Sequence, residues 1–296
     1  MSRYTHAVIV RVANGVRVPT GTEAASQSLV EAARKEQEEL CEVLRESGVD
    51  VIELAPEDGA DASSLFPESA AVVINGTALI TRPKHPSSRR EEILGLLEEL
   101  SWSVEEAPAQ EAGKPVVLDG ADVLFTGKEL FVGVHAERSA HADGTNMEGA
   151  LVVGHVFPDF AVVPVLVEGS RPLKYYVSVV ADELLTVGSS PTAQKVMRAI
   201  ERDATFRYRT LTVPEDDAAS CVNVNGHVLF RPDWQASVDK FQLLRDAPAS
   251  EAGSGGRRAL RLVGVNASSL SRLNGGSHLS ANCLLLRKLK NIKAVY

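Results

Sequence analysis

A recurring β-hairpin pattern constrains the fold of this 296-residue chain more than any other feature of its sequence. Pairs of short apolar segments are joined by tight turns, and the turns follow one another at intervals of roughly 50 residues. Two of the turns are Asn-Gly, the dipeptide that most strongly predicts a two-residue hairpin loop. The predicted turns lie at Asn75-Gly76, Thr126-Gly127-Lys128, Asp182-Glu183, Asn225-Gly226 and, less clearly, Arg287-Lys288.

Helical segments and further apolar strands lie between the hairpins. The segment "RREEILGLLEELS" has apolar residues at helical spacing. The segment "SPTAQKVMRAIERD" predicts a second helix, with Ser189 and Ser190 as possible N-caps and Pro191 near its start. Near the front, "TEAASQSLVEAARKEQEELCEVLRESG" predicts a long helix that ends at Gly48. A short strand follows each of these helices, so the repeated unit is hairpin, helix, strand.

The repeat predicts a closed ring, because one such unit cannot bury both faces of its small sheet and must pack against its neighbours. We therefore expect a single α/β domain over residues 1–296, a five-bladed propeller of ββαβ units. The opening strand "HAVIVRV" is expected to complete a blade with strands from the C-terminus. The irregular spacing leaves an ordinary open α/β sheet as the alternative.

Composition excludes several classes of protein. A hydrophobic content of 44% and a charged content of 24% are typical of a globular protein with a core. The net charge of −8 argues against nucleic acid or an anionic membrane as the main partner. Three cysteines, Cys41, Cys221 and Cys283, make no disulfide framework, and the N-terminus shows no targeting signal, so a cytoplasmic location is expected.

Two long polar segments are predicted to be loops rather than domain boundaries. Residues 247–258 read "APASEAGSGGRR" and are expected to form a mobile loop, while residues 135–146 are expected to form an inserted loop. In a propeller, loops of this kind lie at the rim and can cover the central channel.

The segment "VVLDGADVLFTGKELFVG" contains the most informative acidic residues. Asp119 and Asp122 stand on either side of Gly120-Ala121, where small residues let a ligand approach the backbone. Two carboxylates at this spacing could hold a guanidinium group, whose planar donors match carboxylate oxygens. Aspartates beside glycine also commonly cap turns. The spacing alone leaves both interpretations open.

In order and spacing, several motifs together resemble the dimethylarginine dimethylaminohydrolases, over residues 4–286. They are "THAVIVRV", "ALITRP" with "SRR", "LDGADVLFTGKELFVG", "VGSSPTAQKVM" and "LTVPEDDAASCVNVN". The resemblance implies the pentein fold, a five-bladed propeller of ββαβ units. It also implies hydrolysis of Nω-methylated arginines to citrulline and a methylamine without a cofactor, a reaction that in animals relieves inhibition of nitric oxide synthase.

The resemblance also assigns roles to acidic residues of this chain. Asp119 matches the family residue that faces the guanidinium group, and Asp122 follows in register. Glu68 matches the first member of a substrate-binding Glu-Asp pair, whose second position is Ser69 here. A further substrate-binding aspartate of the family is replaced by Ser63.

Two arginines and one proline complete the comparison with the family pattern. Arg89 matches an arginine that binds the substrate carboxylate, and Arg138 is the candidate for the second such arginine. The family's proton-transferring histidine precedes Leu-Lys, and Pro172 stands at that position in "SRPLKYY". Proline has no ionisable group, so this position cannot move a proton.

The family's nucleophilic cysteine is also displaced. Counting from Gly276 places its position at Ser280, and aligning on the final apolar strand places it at Ala281. Cys283 lies two or three residues further, a shift of about 6–7 Å or more along a strand. We expect Cys283 to be a core residue, with a displaced nucleophile as the alternative. His278 is expected to be a solvated loop residue rather than a base for Ser280.

The scaffold motifs are therefore intact, while several functional positions differ from the family. We expect a family member that is weakly active or catalytically silent, and the alternative is an active hydrolase that uses the displaced Cys283. The expected ligand is a small arginine derivative, and neither a cofactor nor a metal is expected. Protein partners, and the choice between monomer and homodimer, are left open.

Overall fold

The computed structural model describes residues 3–17, 27–57, 59, 61–136, 144–244, 260–273, 276 and 278–287. Over this part of the chain it forms five three-stranded sheets and one two-stranded sheet. In each three-stranded sheet the central strand pairs antiparallel with one neighbour and parallel with the other. This arrangement confirms the predicted propeller of ββαβ units.

One blade uses both ends of the chain. It contains β1 (His6–Val10), α1 (Gln27–Glu46) and β2 (Asp50–Leu54), together with the last strand described below. The next blade contains β3 (Ala71–Ile74), β4 (Thr77–Ile80), α2 (Arg90–Leu100) and β5 (Ser103–Glu106), followed by a small hairpin of β6 (Gln110–Glu111) and β7 (Lys114–Pro115).

Three further blades repeat the same order. One contains β8 (Val123–Phe125), β9 (Glu129–Val134), α3 (Met147–Val156) and β10 (Ala161–Leu166). After α4 (Leu173–Tyr176), the next contains β11 (Val177–Ala181), β12 (Leu184–Gly188), α5 (Pro191–Asp203) and β13 (Arg209–Val213). After α6 (Asp216–Ala219), the last contains β14 (Val222–Val224), β15 (His227–Phe230), α7 (Gln235–Gln242) and β16 (Arg261–Gly264), and α8 (Ser268–Leu273) and β17 (Leu284–Leu286) follow it.

The helices form where the sequence predicts them, because their apolar residues recur on one face. In α1 the buried residues include Val30, Ala33, Leu40 and Leu44, at the spacing of a helix stripe. At the start of α5 the hydroxyl of Ser190 accepts a hydrogen bond from the backbone N–H of Ala193, so of the two possible caps Ser190 is the N-cap.

The ring is closed between the two ends of the chain. β17 pairs antiparallel with β1, and β1 pairs parallel with β2. The predicted final hairpin at Arg287-Lys288 is wrong in this respect, since the antiparallel partner of Leu284–Leu286 is β1. The use of "HAVIVRV" to complete the blade is confirmed.

A one-turn helical segment precedes the inner strand of every blade. Neighbouring segments contact one another in a row that runs from Leu279–Asn282 through Pro67–Ala70, Gly120–Asp122 and α4 to α6. The five segments are Pro67–Ala70, Gly120–Asp122, α4, α6 and Leu279–Asn282, which lead into β3, β8, β11, β14 and β17. This repeated turn is the feature that positions the candidate site.

Other predictions are only partly covered by the described residues. Residues 247–258 lie outside them, and of the loop at 135–146 only residues 135–136 and 144–146 lie inside. The assignment of the whole chain to one domain stays a prediction. Among the described helices, none has both the length and the apolar character that crossing a membrane requires.

Asn225 ties the hairpin between β14 and β15 to the N-terminal blade. Its side chain accepts a hydrogen bond from the N–H of Tyr4 and donates to the carbonyls of Tyr4 and Ser47, at 2.9–3.1 Å. Its φ of 54° is the left-handed conformation that an Asn-Gly turn requires.

We predict that Asn225→Ala lowers the free energy of unfolding by roughly 2–3 kcal/mol more than Asn75→Ala. Asn75 has a similar positive φ in its own Asn-Gly turn but an exposed side chain, so the backbone cost cancels in the comparison. Urea unfolding of both variants measures the difference. Equal losses of stability would show that the three hydrogen bonds of Asn225 contribute little.

Candidate functional site

A cavity of about 150 Å³ lies in the central channel, between the inner strands of the five blades. The residues that line it include apolar side chains from β3, β8, β11, β14 and β17. At the end where the helical turns precede these strands, Glu68, Lys174, Ser280 and Cys283 also line it. The polar groups of this end form the candidate site.

Glu68 is the buried charge at the centre of the site. Pro67 begins the turn that carries it, and three donors from other blades surround its carboxylate. Lys174 Nζ lies 2.9 Å from Oε1, His278 Nε2 lies 2.7 Å from Oε2, and the Ser280 hydroxyl donates to Oε2 at 3.2 Å. Burial alone would raise the pKa of Glu68, but the Lys174 ammonium and the His278 hydrogen bond outweigh it and lower the pKa to about 2. Glu68 is therefore ionised at any physiological pH.

Asp119 lies beside this cluster as the cap of the next turn. Its Oδ1 accepts a hydrogen bond from the backbone N–H of Ala121 at 2.8 Å, and the hydroxyl of Ser69 also bonds to it. Burial, and then the negative charge of Asp122, raise the pKa of Asp119 to about 6. Gly120 follows it, and a Cβ there would lie 2.0 Å from the carbonyl oxygen of Glu68, so this close approach requires glycine.

Asp122 is fully buried and ties three segments together. His135 Nε2 lies 3.0 Å from Oδ1, the N–H of Leu173 donates to the same oxygen at 2.9 Å, and the N–H of Thr145 donates to Oδ2 at 3.1 Å. Burial would raise the pKa of Asp122, but the bond and charge of His135 lower it. Capping describes the hydrogen bond that Asp119 accepts from Ala121, and guanidinium binding by Asp119 or Asp122 stays a prediction.

The two candidate nucleophiles, Ser280 and Cys283, line the same cavity as Glu68. Burial, and then the negative charge of Glu68, raise the pKa of the Cys283 thiol to about 12. The hydroxyl of Ser280 donates to Glu68 itself, a carboxylate too weakly basic to take its proton. Ala281, the other position in register, is buried.

His278 differs most from what the sequence predicts. The expectation of a solvated loop histidine is wrong, since its side chain is 5% exposed and bonded to Glu68. Lys174 and His135 are further residues of the site that sequence reasoning missed. Lys174 bonds Glu68, 106 positions away along the chain, and His135 bonds Asp122, 13 positions away. Local sequence patterns predict neither contact.

The remaining predicted residues lie at different places. The guanidinium group of Arg89 bonds the carbonyl of Ala55 and the carboxylate of Glu92 at the start of α2. Arg138 lies outside the described residues. Ser63 is exposed, and Pro172 is the residue before α4. Which of these residues takes part in ligand binding stays a prediction.

Comparison with known proteins identifies relatives of this chain. No family model matches it. It is 36% identical over 222 residues to the "Putative hydrolase DDAH2" of Homo sapiens, which covers 73% of this chain and 70% of that protein. The protein of the same name from Bos taurus gives the same identity and coverage.

Solved structures share the fold over nearly the whole chain. The DDAH of Pseudomonas aeruginosa, a cysteine-to-serine mutant complexed with citrulline, has a TM-score of 0.71 at 20% identity and covers 96% of this chain and 100% of its own. The N-terminal domain of ArgZ, an arginine dihydrolase from the ornithine-ammonia cycle in Cyanobacteria, has a TM-score of 0.71 at 15% identity and covers 96% and 98%.

The raised pKa of Asp119 leads to a stability prediction. A folded-state pKa of about 6, against an ordinary value of 3.8, means that the ionised carboxyl destabilises the fold as the pH rises through about 6. Asp119→Asn removes this cost and keeps an acceptor for the N–H of Ala121. We therefore predict that the variant is more stable than the wild type by about 1–3 kcal/mol near pH 8, and that the gain disappears below about pH 4.

Urea unfolding of wild type and variant across this pH range measures the gain. Asp203→Asn, at the exposed end of α5, is the matched control and should show no gain near pH 8, because pairing with Arg202 lowers the pKa of Asp203. A variant of Asp119 that is less stable than the wild type near pH 8 would contradict the prediction.

Proposed function

The chain belongs to the dimethylarginine dimethylaminohydrolase family, and on this premise we propose that it keeps a ligand-binding centre around Glu68 but hydrolyses Nω-methylated arginines weakly or not at all. The family reaction attacks the carbon of a guanidinium group, a poor electrophile because its charge is delocalised. It therefore needs a thiolate, and it needs an acid to protonate the departing amine.

The observation that carries the proposal is the position of Glu68, which accepts a hydrogen bond from Ser280 and lines the same cavity as Cys283. Its negative charge adds to burial in raising the pKa of the Cys283 thiol to about 12, which disfavours the thiolate at neutral pH. Ser280 donates its proton to the same carboxylate, whose pKa of about 2 makes it an ineffective base. A centre that protects both nucleophiles in their protonated forms is poorly suited to attack.

The histidine position supports the same proposal. Pro172 stands where the family pattern has its proton-transferring residue. His278 is the imidazole that reaches the Glu68 cluster, and its Nε2 faces Glu68. An imidazole held in this way supports the charge of Glu68, and no contact in the described part of the chain joins it to the thiol of Cys283.

A second candidate function is an active hydrolase that uses the displaced Cys283. The observation in its favour is that the thiol lines the same cavity as Glu68 and Lys174, and that the ammonium of Lys174 acts to lower its pKa. In this case ligand binding or a small rearrangement would have to weaken the effect of Glu68 on the thiol.

The remaining parts of the proposal follow the family pattern. Glu68 and Asp119 belong to the ligand centre, Arg89 and Arg138 are candidates for the carboxylate of an amino-acid ligand, and no cofactor takes part. We place the protein in the cytoplasm and in arginine metabolism, linked to nitric oxide through methylated arginines.

We predict that the purified protein forms no citrulline from asymmetric dimethylarginine above a blank without protein. The reason is the protonated state of both nucleophiles at neutral pH. A colorimetric or mass-spectrometric assay for citrulline measures the outcome. Turnover that disappears in Cys283→Ala and survives in Ser280→Ala would overturn the proposal and identify Cys283 as the nucleophile.

A further inference from the structure

A layer of five side chains, one from each inner strand, surrounds the cavity in the central channel. Each of them is partly exposed, while the residues directly before and after it in the chain are buried. Alternate side chains of a strand point to opposite faces, so this burial pattern indicates the face turned toward the channel. The five side chains, all of which line the cavity, are Val73, Phe125, Val179, Asn223 and Leu285.

Asn223 is the one polar member of this channel layer, and its amide is already bonded within the chain. Its Nδ2 donates to the carbonyl of Val180, and its Oδ1 accepts from the backbone N–H of Gly226 at 3.2 Å. The other four members are apolar. An ion placed inside the layer would lose its hydration and find few polar partners in return, so the layer favours an uncharged ligand.

Tyr4 supplies one hydroxyl group to the cavity that its ring lines. The backbone of Tyr4 is fixed by Asn225, through hydrogen bonds at both its N–H and its carbonyl. Burial, and then the charge of Cys283, raise the pKa of Tyr4, so its hydroxyl is protonated at physiological pH. Within the described part of the chain this hydroxyl has no hydrogen-bond partner. The hydroxyl of a largely buried tyrosine normally has one, so a ligand can supply it.

The charged residues that line the cavity cancel each other. Among the described residues they are Glu68 and Lys174, which pair at 2.9 Å. Asp119 and His278, which also lie close to Glu68, do not line the cavity. A ligand in the channel layer therefore meets a neutral ion pair at one end, and this wall favours neither an anion nor a cation.

The size of the cavity matches one aromatic ring. Its volume is about 150 Å³, and an apolar cavity of this volume holds a benzene molecule. Phe125 contributes an aromatic ring to the wall, and an edge contact with Phe160 at 4.8 Å between the ring centres fixes its position. A ligand ring can pack against it in the offset or edge-on geometries that aromatic pairs prefer.

We propose that the channel layer is a binding site for one small uncharged molecule with a single aromatic ring and one hydrogen-bonding group, as in phenol. The ring lies among the apolar side chains of the layer, and the polar group bonds the hydroxyl of Tyr4. This site is distinct from the polar surface of Asp119 and His278, and it does not depend on whether the chain hydrolyses methylated arginines.

Isothermal titration calorimetry with phenol, benzoate and benzylamine near neutral pH tests the ligand class. Phenol should bind saturably with one molecule per chain, and about tenfold or more tightly than the anion or the cation. Tyr4→Phe should weaken the binding of phenol several-fold and leave the binding of toluene, which has no hydroxyl, unchanged. The absence of saturable phenol binding to the wild type, or equal binding of phenol and the two ions, would overturn the proposal.

A second pair of variants tests the position of the site. Val179→Phe fills the channel layer and should weaken phenol binding by about tenfold or more. Val163→Phe is the matched control, because Val163 is a half-buried valine of the outer strand β10 that does not line the cavity, and it should bind phenol as the wild type does. Undiminished phenol binding by a folded Val179→Phe variant would contradict the assignment. If that variant does not fold, the wild-type and Tyr4→Phe titrations still decide.

Discussion

The buried charge of Glu68 is the interaction on which the rest of the centre depends. Three donors from two other blades converge on it, through Lys174, His278 and Ser280. A buried carboxylate is tolerated only when its partners compensate the lost hydration, and removing one partner leaves a costly unpaired charge. The same contacts therefore hold three blades together at the channel end and keep the carboxylate ionised.

This structural role and the chemistry of the site oppose each other. A negative charge that stabilises the ring also raises the pKa of the nearby thiol of Cys283 and accepts the proton of Ser280 without removing it. The fold gains a fixed ion pair, while the thiol of Cys283 in the same cavity has a raised pKa. In the proposed function, this opposition favours the recognition of a ligand over its chemical attack.

The fold could be predicted from local sequence, but the site could be predicted only in part. Hairpin turns and helix caps depend on neighbours in sequence, so Asn75-Gly76 and Ser190 were predictable from short patterns. Glu68 and Asp119 were identified through a resemblance, and the structure brings them into one cluster. His278 was not, because the reason for its burial is a carboxylate 210 residues earlier in the chain. Side-chain contacts between blades cannot be predicted from the local periodicity of the sequence.

Asp122 shows why an intact acidic motif is a weak sign of catalysis. Its carboxylate accepts hydrogen bonds from the backbone N–H of Leu173, the residue after Pro172, and from the backbone N–H of Thr145. Those bonds position two segments at the rim of the site whether or not a reaction takes place. In the proposed alignment Pro172 takes the position of the family's histidine, and proline is tolerated there because Asp122 accepts its hydrogen bond from the N–H of Leu173. The proposed loss of a proton-transferring residue is therefore physically compatible with retention of "LDGADV", because the motif stabilises the fold independently of the chemistry.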